Sequence, residues 1–113
     1  MNLTGNMLIG RQAVTGDRDA IRAVHPATGN LLEPAYPGGS EAQVAQACAL
    51  AWAAFDAYRE TAPETRAGFL EAIAEEIEAL GDALIERAMA ETGLPQPRIQ
   101  GERGRTCQQL RTF

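Results

Sequence analysis

Two hydrophobic rhythms divide the chain, with the change near residue 39. Before it, apolar residues come in short runs. Met7-Leu8-Ile9 and Ile21-Arg22-Ala23-Val24 read as brief strands separated by the turn-prone Thr15-Gly16-Asp17. His25-Pro26-Ala27-Thr28-Gly29-Asn30 joins a proline that presets φ to a glycine able to take positive φ, so it predicts a tight turn. After Leu31-Leu32-Glu33, the stretch Pro34-Ala35-Tyr36-Pro37-Gly38-Gly39 predicts an extended connection that no helix or central strand absorbs. Residues 1–39 therefore read as a β-rich arm.

From Ser40 the spacing becomes helical. Ser40 with Gln43 three residues later has the form of a capping box. Val44, Ala47, Cys48, Ala51, Trp52, Phe55 and Tyr58 then recur every three or four residues, one apolar stripe of a first helix. A second helix is expected to open with Thr61 and Glu64 as its box and Pro63 in the first turn. Its stripe is Phe69, Leu70, Ile73, Ala74, Ile77 and Leu80, with Gly81 as its stop. Glu71, Glu75, Glu76 and Glu78 line its other side as a solvated face. Asp82 is placed to cap a third helix that buries Leu84, Ile85, Ala88 and Met89 and ends at Gly93 and Pro95. A fourth runs from about Gln96 through Ile99, Thr106, Leu110 and Phe113. The fold class is an α-rich α+β chain: residues 1–39 as arm, 40–113 as about four helices.

Composition narrows the chemistry by exclusion. The net charge is −5 and all ten basic residues are arginine. An acidic chain does not supply the positive field that general nucleic-acid binding requires. No apolar run approaches the roughly 20 residues that cross a bilayer, and the first residues lack a signal-peptide core. With two cysteines, neither in a CxxC pair, the expectation is a reduced cytoplasmic protein without zinc or disulfides.

Most chemically suggestive residues have structural readings. Cys48 lies in an apolar stripe, where a thiol packs as a small hydrophobe. Cys107 has Arg103, Arg105 and Arg111 nearby in sequence, but no evident base to make it a nucleophile. His25, the single histidine, precedes proline in a turn and reads as exposed or bonded to nearby backbone. Trp52 and Phe55 suit core packing. The fourth helix resists this treatment. Gly101 and Gly104 inside it each cost about 1 kcal/mol relative to alanine, which implies a close neighbour, a ligand or a break. Arg98, Gly101 and Arg105 share one face, while Arg103 falls on the apolar side, where it must reach water or a carboxylate.

Several segments resemble the amino-terminal part of the aldehyde dehydrogenase superfamily. Val24-His25-Pro26-Ala27-Thr28-Gly29-Asn30 is similar to that family's valine-asparagine-proline-alanine-threonine-glycine-glutamate turn, departing at His25 and Asn30. "ACALAWAAFDAYRETAPETRAGFLEAIAEEIE" resembles its alanine-rich helix and the arginine-bearing helix that follows. "AETGLP" resembles its glutamate-threonine-glycine-x-proline signature, and "QLRTF" the leucine-arginine-aromatic end of the next helix. "GLPQPRIQGERGRTCQQLRTF" and "YPGGSEAQVAQACALAWAAFDAYRET" look most like the dehydrogenases of 2-oxoglutarate semialdehyde (2,5-dioxopentanoate).

The resemblance implies an α/β parent enzyme, several times longer and homo-oligomeric, oxidising a small aldehyde with NADP or NAD. In such enzymes a cysteine thiolate attacks the aldehyde, hydride passes to the nicotinamide, and water hydrolyses the resulting thioester. The nucleophile, the water-activating glutamate and the cofactor domain are all expected beyond Phe113, so Phe113 reads as a truncation point and this piece as scaffold. Two local roles are implied. Glu91 with the carbonyl of Val24 resembles a monovalent-cation site of some members, and the fourth helix corresponds to one that borders the family's substrate entrance. On that helix Arg105, sharing the face of Gly101 with Arg98 two turns earlier, is the candidate for the substrate's carboxylate, with Arg103 as its rival. The competing reading is a small helical module that binds a partner helix.

Overall fold

The computed structural model describes residues 2–113. Four short strands, β1 (Met7–Ile9), β2 (Gln12–Val14), β3 (Ala20–Ile21) and β4 (Tyr36–Pro37), precede four helices. These are α1 (Glu41–Arg59), α2 (Pro63–Ala79), α3 (Gly81–Thr92) and α4 (Gln96–Thr112). The α-rich α+β expectation holds.

Two compact units are present, one of residues 2–24 and 31–60, the other of residues 25–30 and 61–113. In the first, β1 and β2 form an antiparallel hairpin with Met7 opposite Val14 and Ile9 opposite Gln12. Gly10, at φ +60, takes the first central position of the two-residue loop, where a II′ turn places glycine. The sequence pattern missed β2, because Gln12-Ala13-Val14 has too few apolar residues to signal a strand. β3 pairs antiparallel with β4, Ala20 opposite Pro37 and Ile21 opposite Tyr36. The run that looked like a strand through Val24 therefore stops pairing with β4 at Ile21; Val24 makes only an isolated bridge to Leu31.

α1 starts as its spacing dictates. The Ser40 hydroxyl accepts from the Gln43 amide at 3.3 Å, and the Gln43 side chain accepts from the Ser40 amide at 2.9 Å. Gln43 also donates to the Thr15 carbonyl, tying the helix start to the arm. Its stripe departs from expectation. No residue of α1 is buried, Trp52 is 83% exposed, and Cys48 is exposed as well. Cys48 is not a core thiol here, and Trp52 and Phe55 do not fill a core, because no described element packs over them.

The second unit is a three-helix cluster. α2 opens with Ala62 as its cap residue and Pro63 in the first turn. The expected Thr61–Glu64 box does not form: the helix starts one residue later, and alanine has no side chain with which to cap. The Thr61 carbonyl instead accepts from the Arg66 guanidinium. Asp82 likewise does not cap α3, which follows Leu80 directly, with Gly81 at φ +57 at the junction. α4 packs on α2 and α3. The contact is close because its centre is small: Ala74 of α2 is wholly buried and Cys107 of α4 nearly so. The Cys107 thiol lies 3.7 Å from the Ala74 carbonyl, a weak donor on a helix backbone. Ile85 and Ile99 complete this core.

α3 ends where glycine permits. Gly93 is left-handed at φ +71 and its amide donates to the Met89 carbonyl at 2.9 Å. Against it sits the turn of residues 25–30. The His25 amide donates to the Asn30 carbonyl, and the Gly29 amide to the His25 carbonyl, both at 2.8 Å. A β-carbon on Gly93 would stand 2.9 Å from Pro26 Cγ. The two turn motifs of the sequence, HPATGN and ETGLP, thus meet.

Candidate functional site

α4 continues through both of its glycines. It enters from Pro95 with Pro97 in the first turn, where a missing amide hydrogen is no loss. Ile99, Arg103 and Cys107, spaced by four, form its inner row, and Arg103 resolves its conflict with an apolar face in an unforeseen way. Its Nη1 donates to the Gly81 carbonyl at 3.1 Å, so a backbone acceptor at the α2–α3 junction takes the place of water or a carboxylate. The Cys107 thiol is buried between α4 and α2.

The outer face carries Arg98, Gly101, Glu102, Arg105, Thr106 and Gln109; Thr106, expected on the apolar stripe, is exposed because the buried row runs through Ile99 and Cys107 instead. A β-carbon at Gly101 or Gly104 would meet nothing within 4 Å, so neither glycine is explained by a neighbour among the described residues or by a helix break. Glu102, Arg105, Thr106, Gln109 and Leu110 line a shallow groove of about 430 Å³.

The four arginines of α4 differ in their commitments. Arg98 pairs with Glu102 at 2.7 Å, and Arg103 holds the Gly81 carbonyl. Arg111 grips Glu78 of α2 with both terminal nitrogens at 2.8 Å. Arg105 alone has no hydrogen bond or ion pair among the described residues. Arg98 and Arg105, grouped as one positive pair by sequence, are therefore not equivalent: the charge of Arg98 is already answered.

The remaining candidate lies at the end of α3. Glu91 accepts from Arg87 one turn earlier, in an i,i+4 ion pair. Val24 is half exposed and belongs to the other compact unit. His25 has the bland role expected for it, its Nδ1 accepting from the Ala27 amide at 3.2 Å. Among the described residues no group of three His, Cys, Asp or Glu side chains is arranged to hold a metal ion.

The described residues do not form a site for a nicotinamide dinucleotide. Such a site needs a glycine-rich turn between a parallel strand and a helix whose first amides face the pyrophosphate. All paired strands here are antiparallel. The one glycine-rich entry to a helix, Gly38-Gly39 before α1, has its cap and N3 amides occupied by the Ser40–Gln43 box.

Residues 13–113 match the family model of the aldehyde dehydrogenase family. The chain belongs to this family. It is 58% identical to the alpha-ketoglutaric semialdehyde dehydrogenase 2 of Azospirillum brasilense over 114 residues, covering all of this chain and 22% of that protein. It is 40% identical over 109 residues to the alpha-ketoglutaric semialdehyde dehydrogenase of Acinetobacter baylyi, covering 96% of this chain and 21% of that protein. The chain thus spans about a fifth of the length of the curated relatives it matches. No described helix is long and apolar enough to cross a membrane.

Proposed function

We propose that the protein carrying this segment oxidises 2-oxoglutarate semialdehyde to 2-oxoglutarate, with NADP or NAD accepting the hydride and water supplying the new oxygen. The single observation behind this substrate is the 58% identity, sustained over the whole chain, to a relative named for it. The nicotinamide cofactor is held by residues outside this chain, in a cytoplasmic homo-oligomer. Residues 1–39 act as an arm and 40–113 as a helical scaffold.

Three local roles go with this reading. The core of Ala74, Ile85, Ile99 and Cys107 fixes the outer face of α4 by holding its inner face. Arg105 offers an unanswered guanidinium to the carboxylate at the substrate's far end, and a planar fork suits a carboxylate bidentately. Glu91 serves a monovalent cation, for which it has to exchange its bond to Arg87.

The test is a substrate series on the complete enzyme. 2-Oxoglutarate semialdehyde should give equimolar 2-oxoglutarate and reduced nicotinamide, with kcat/KM at least tenfold above an uncharged aldehyde of similar length. Equal efficiency on both, or turnover of the uncharged one alone, overturns the substrate assignment.

A further inference from the structure

Glu102 has two arginines within reach on its own helix, Arg98 four residues before it and Arg105 three residues after it. Both spacings place side chains side by side on a helix surface. The structure shows the carboxylate with Arg98, at 2.7 Å, and Arg105 left without a partner. Glu102 and Arg105 line the same groove. An uncommitted carboxylate there would both neutralise Arg105 and repel an anionic ligand.

We propose that Arg98 is a positioning residue: by holding Glu102 it keeps Arg105 free to take the carboxylate of an anionic aldehyde substrate. This inference rests on the proposed carboxylate-bearing substrate and gives Arg98 and Arg105 different jobs. The pair is exposed, Arg98 at 64% and Glu102 at 45%, so the balance between the two partners of Glu102 is shallow. In sequence order the Glu102–Arg105 alternative has the acid nearer the helix N-terminus, the orientation that helices favour. Removing Arg98 therefore releases Glu102 toward Arg105. Thr106 and Gln109 add neutral hydrogen-bonding groups to the same groove, and the bare positions of Gly101 and Gly104 leave the helix surface beside it open.

The experiment is a set of five variants of the complete enzyme, each assayed on 2-oxoglutarate semialdehyde and on an uncharged aldehyde. Arg105→Met should raise KM for the carboxylated aldehyde about 10–100-fold and leave the uncharged one within twofold. Arg98→Met should raise the same KM about two- to fivefold with kcat unchanged. Glu102→Gln should not raise it. The double variant Arg98→Met/Glu102→Gln should return to the KM of Glu102→Gln, since the competitor is gone. A loss in the double variant as large as in Arg98→Met would make Arg98 a direct contact and overturn the inference. So would equal losses of Arg105→Met on both aldehydes with an unchanged melting temperature. Arg105→Lys, which keeps the charge but not the fork, should recover part of the loss; no recovery, with the fold intact by melting temperature, counts against the carboxylate contact. If the unmodified enzyme shows no preference for the carboxylated aldehyde, the substrate assignment itself fails, a result distinct from all of these.

Discussion

Arg111 clasps Glu78 with both terminal nitrogens, each 2.8 Å from a different carboxylate oxygen, and so pins the last turn of α4 to α2. The two hydrogen bonds from Arg111 are the main reason that the Glu78 carboxyl lies below its usual range, against a smaller desolvation effect that raises it. Arg111 is raised in turn, chiefly by its bonds to Glu78, and stays charged at every pH of interest.

A carboxyl depressed by folding stabilises the folded state above its unfolded pKa, and that contribution is lost as pH falls through the lower folded value. Glu78→Gln should therefore lower the melting temperature slightly near pH 7, and the gap to the unmodified protein should close below the ordinary carboxyl value of 4.5. Thermal melts from pH 7 to pH 3 measure it. A gap independent of pH would mean that the pair is geometric and not electrostatic.

Gly101 and Gly104 lie in helical backbone without positive φ, and a β-carbon at either would meet no described residue within 4 Å. Each change to alanine should stabilise an isolated segment by up to about 1 kcal/mol. The same changes in the complete enzyme are the informative comparison. Destabilisation there would reveal an element that approaches α4 at these positions.

Gly93 has the opposite character. Its φ of +71 disfavours a side chain, and a β-carbon there would come within 2.9 Å of Pro26 Cγ. Gly93→Ala should cost about 1–3 kcal/mol and loosen the turn of residues 25–30 from the end of α3. Urea unfolding gives the cost, and faster amide exchange of Thr28 and Gly29 would report the loosening. A change below about 0.5 kcal/mol, the scatter of surface substitutions, would refute it.

Glu91 offers a ligand-linked readout. If it binds sodium or potassium in the complete enzyme, raising that cation to about 100 times its dissociation constant should stabilise by roughly 2.7 kcal/mol. Glu91→Gln should weaken this ion-specific gain. A gain that is unchanged by the substitution would leave Glu91 as the partner of Arg87 and nothing more.

The last prediction follows from surfaces that no described element covers. Trp52 and Phe55 on α1 are largely exposed, and Phe69, Ile73, Ile77 and Leu80 on α2 line a second shallow apolar groove. The isolated segment should self-associate or unfold over a shallow urea transition, with a slope below the roughly 1–3 kcal/mol/M of small compact domains. A monomer with a steep, cooperative transition would favour an independent helical module.

The chain's own residues determined where its helices run, because helical period and local chemistry are properties of neighbours in sequence. Ser40 and Gln43 cap α1 in the way their spacing demands, Gly93 closes α3, and Pro63 sits in the first turn of α2. The family was legible for a similar reason, in turn motifs whose glycines and prolines have few substitutes. Tertiary structure decided what periodicity cannot express: which apolar stripe finds a partner. α1 and α2 have equally regular stripes, yet no residue of α1 is buried while Ala74 is sealed under α4. It also decided among the arginines. Arg98, Arg103, Arg105 and Arg111 are alike in a sequence, and only the placement of Glu102, the Gly81 carbonyl and Glu78 around them leaves one guanidinium free. Charge belongs to a residue, but whether that charge is already answered depends on distances that only the folded chain sets.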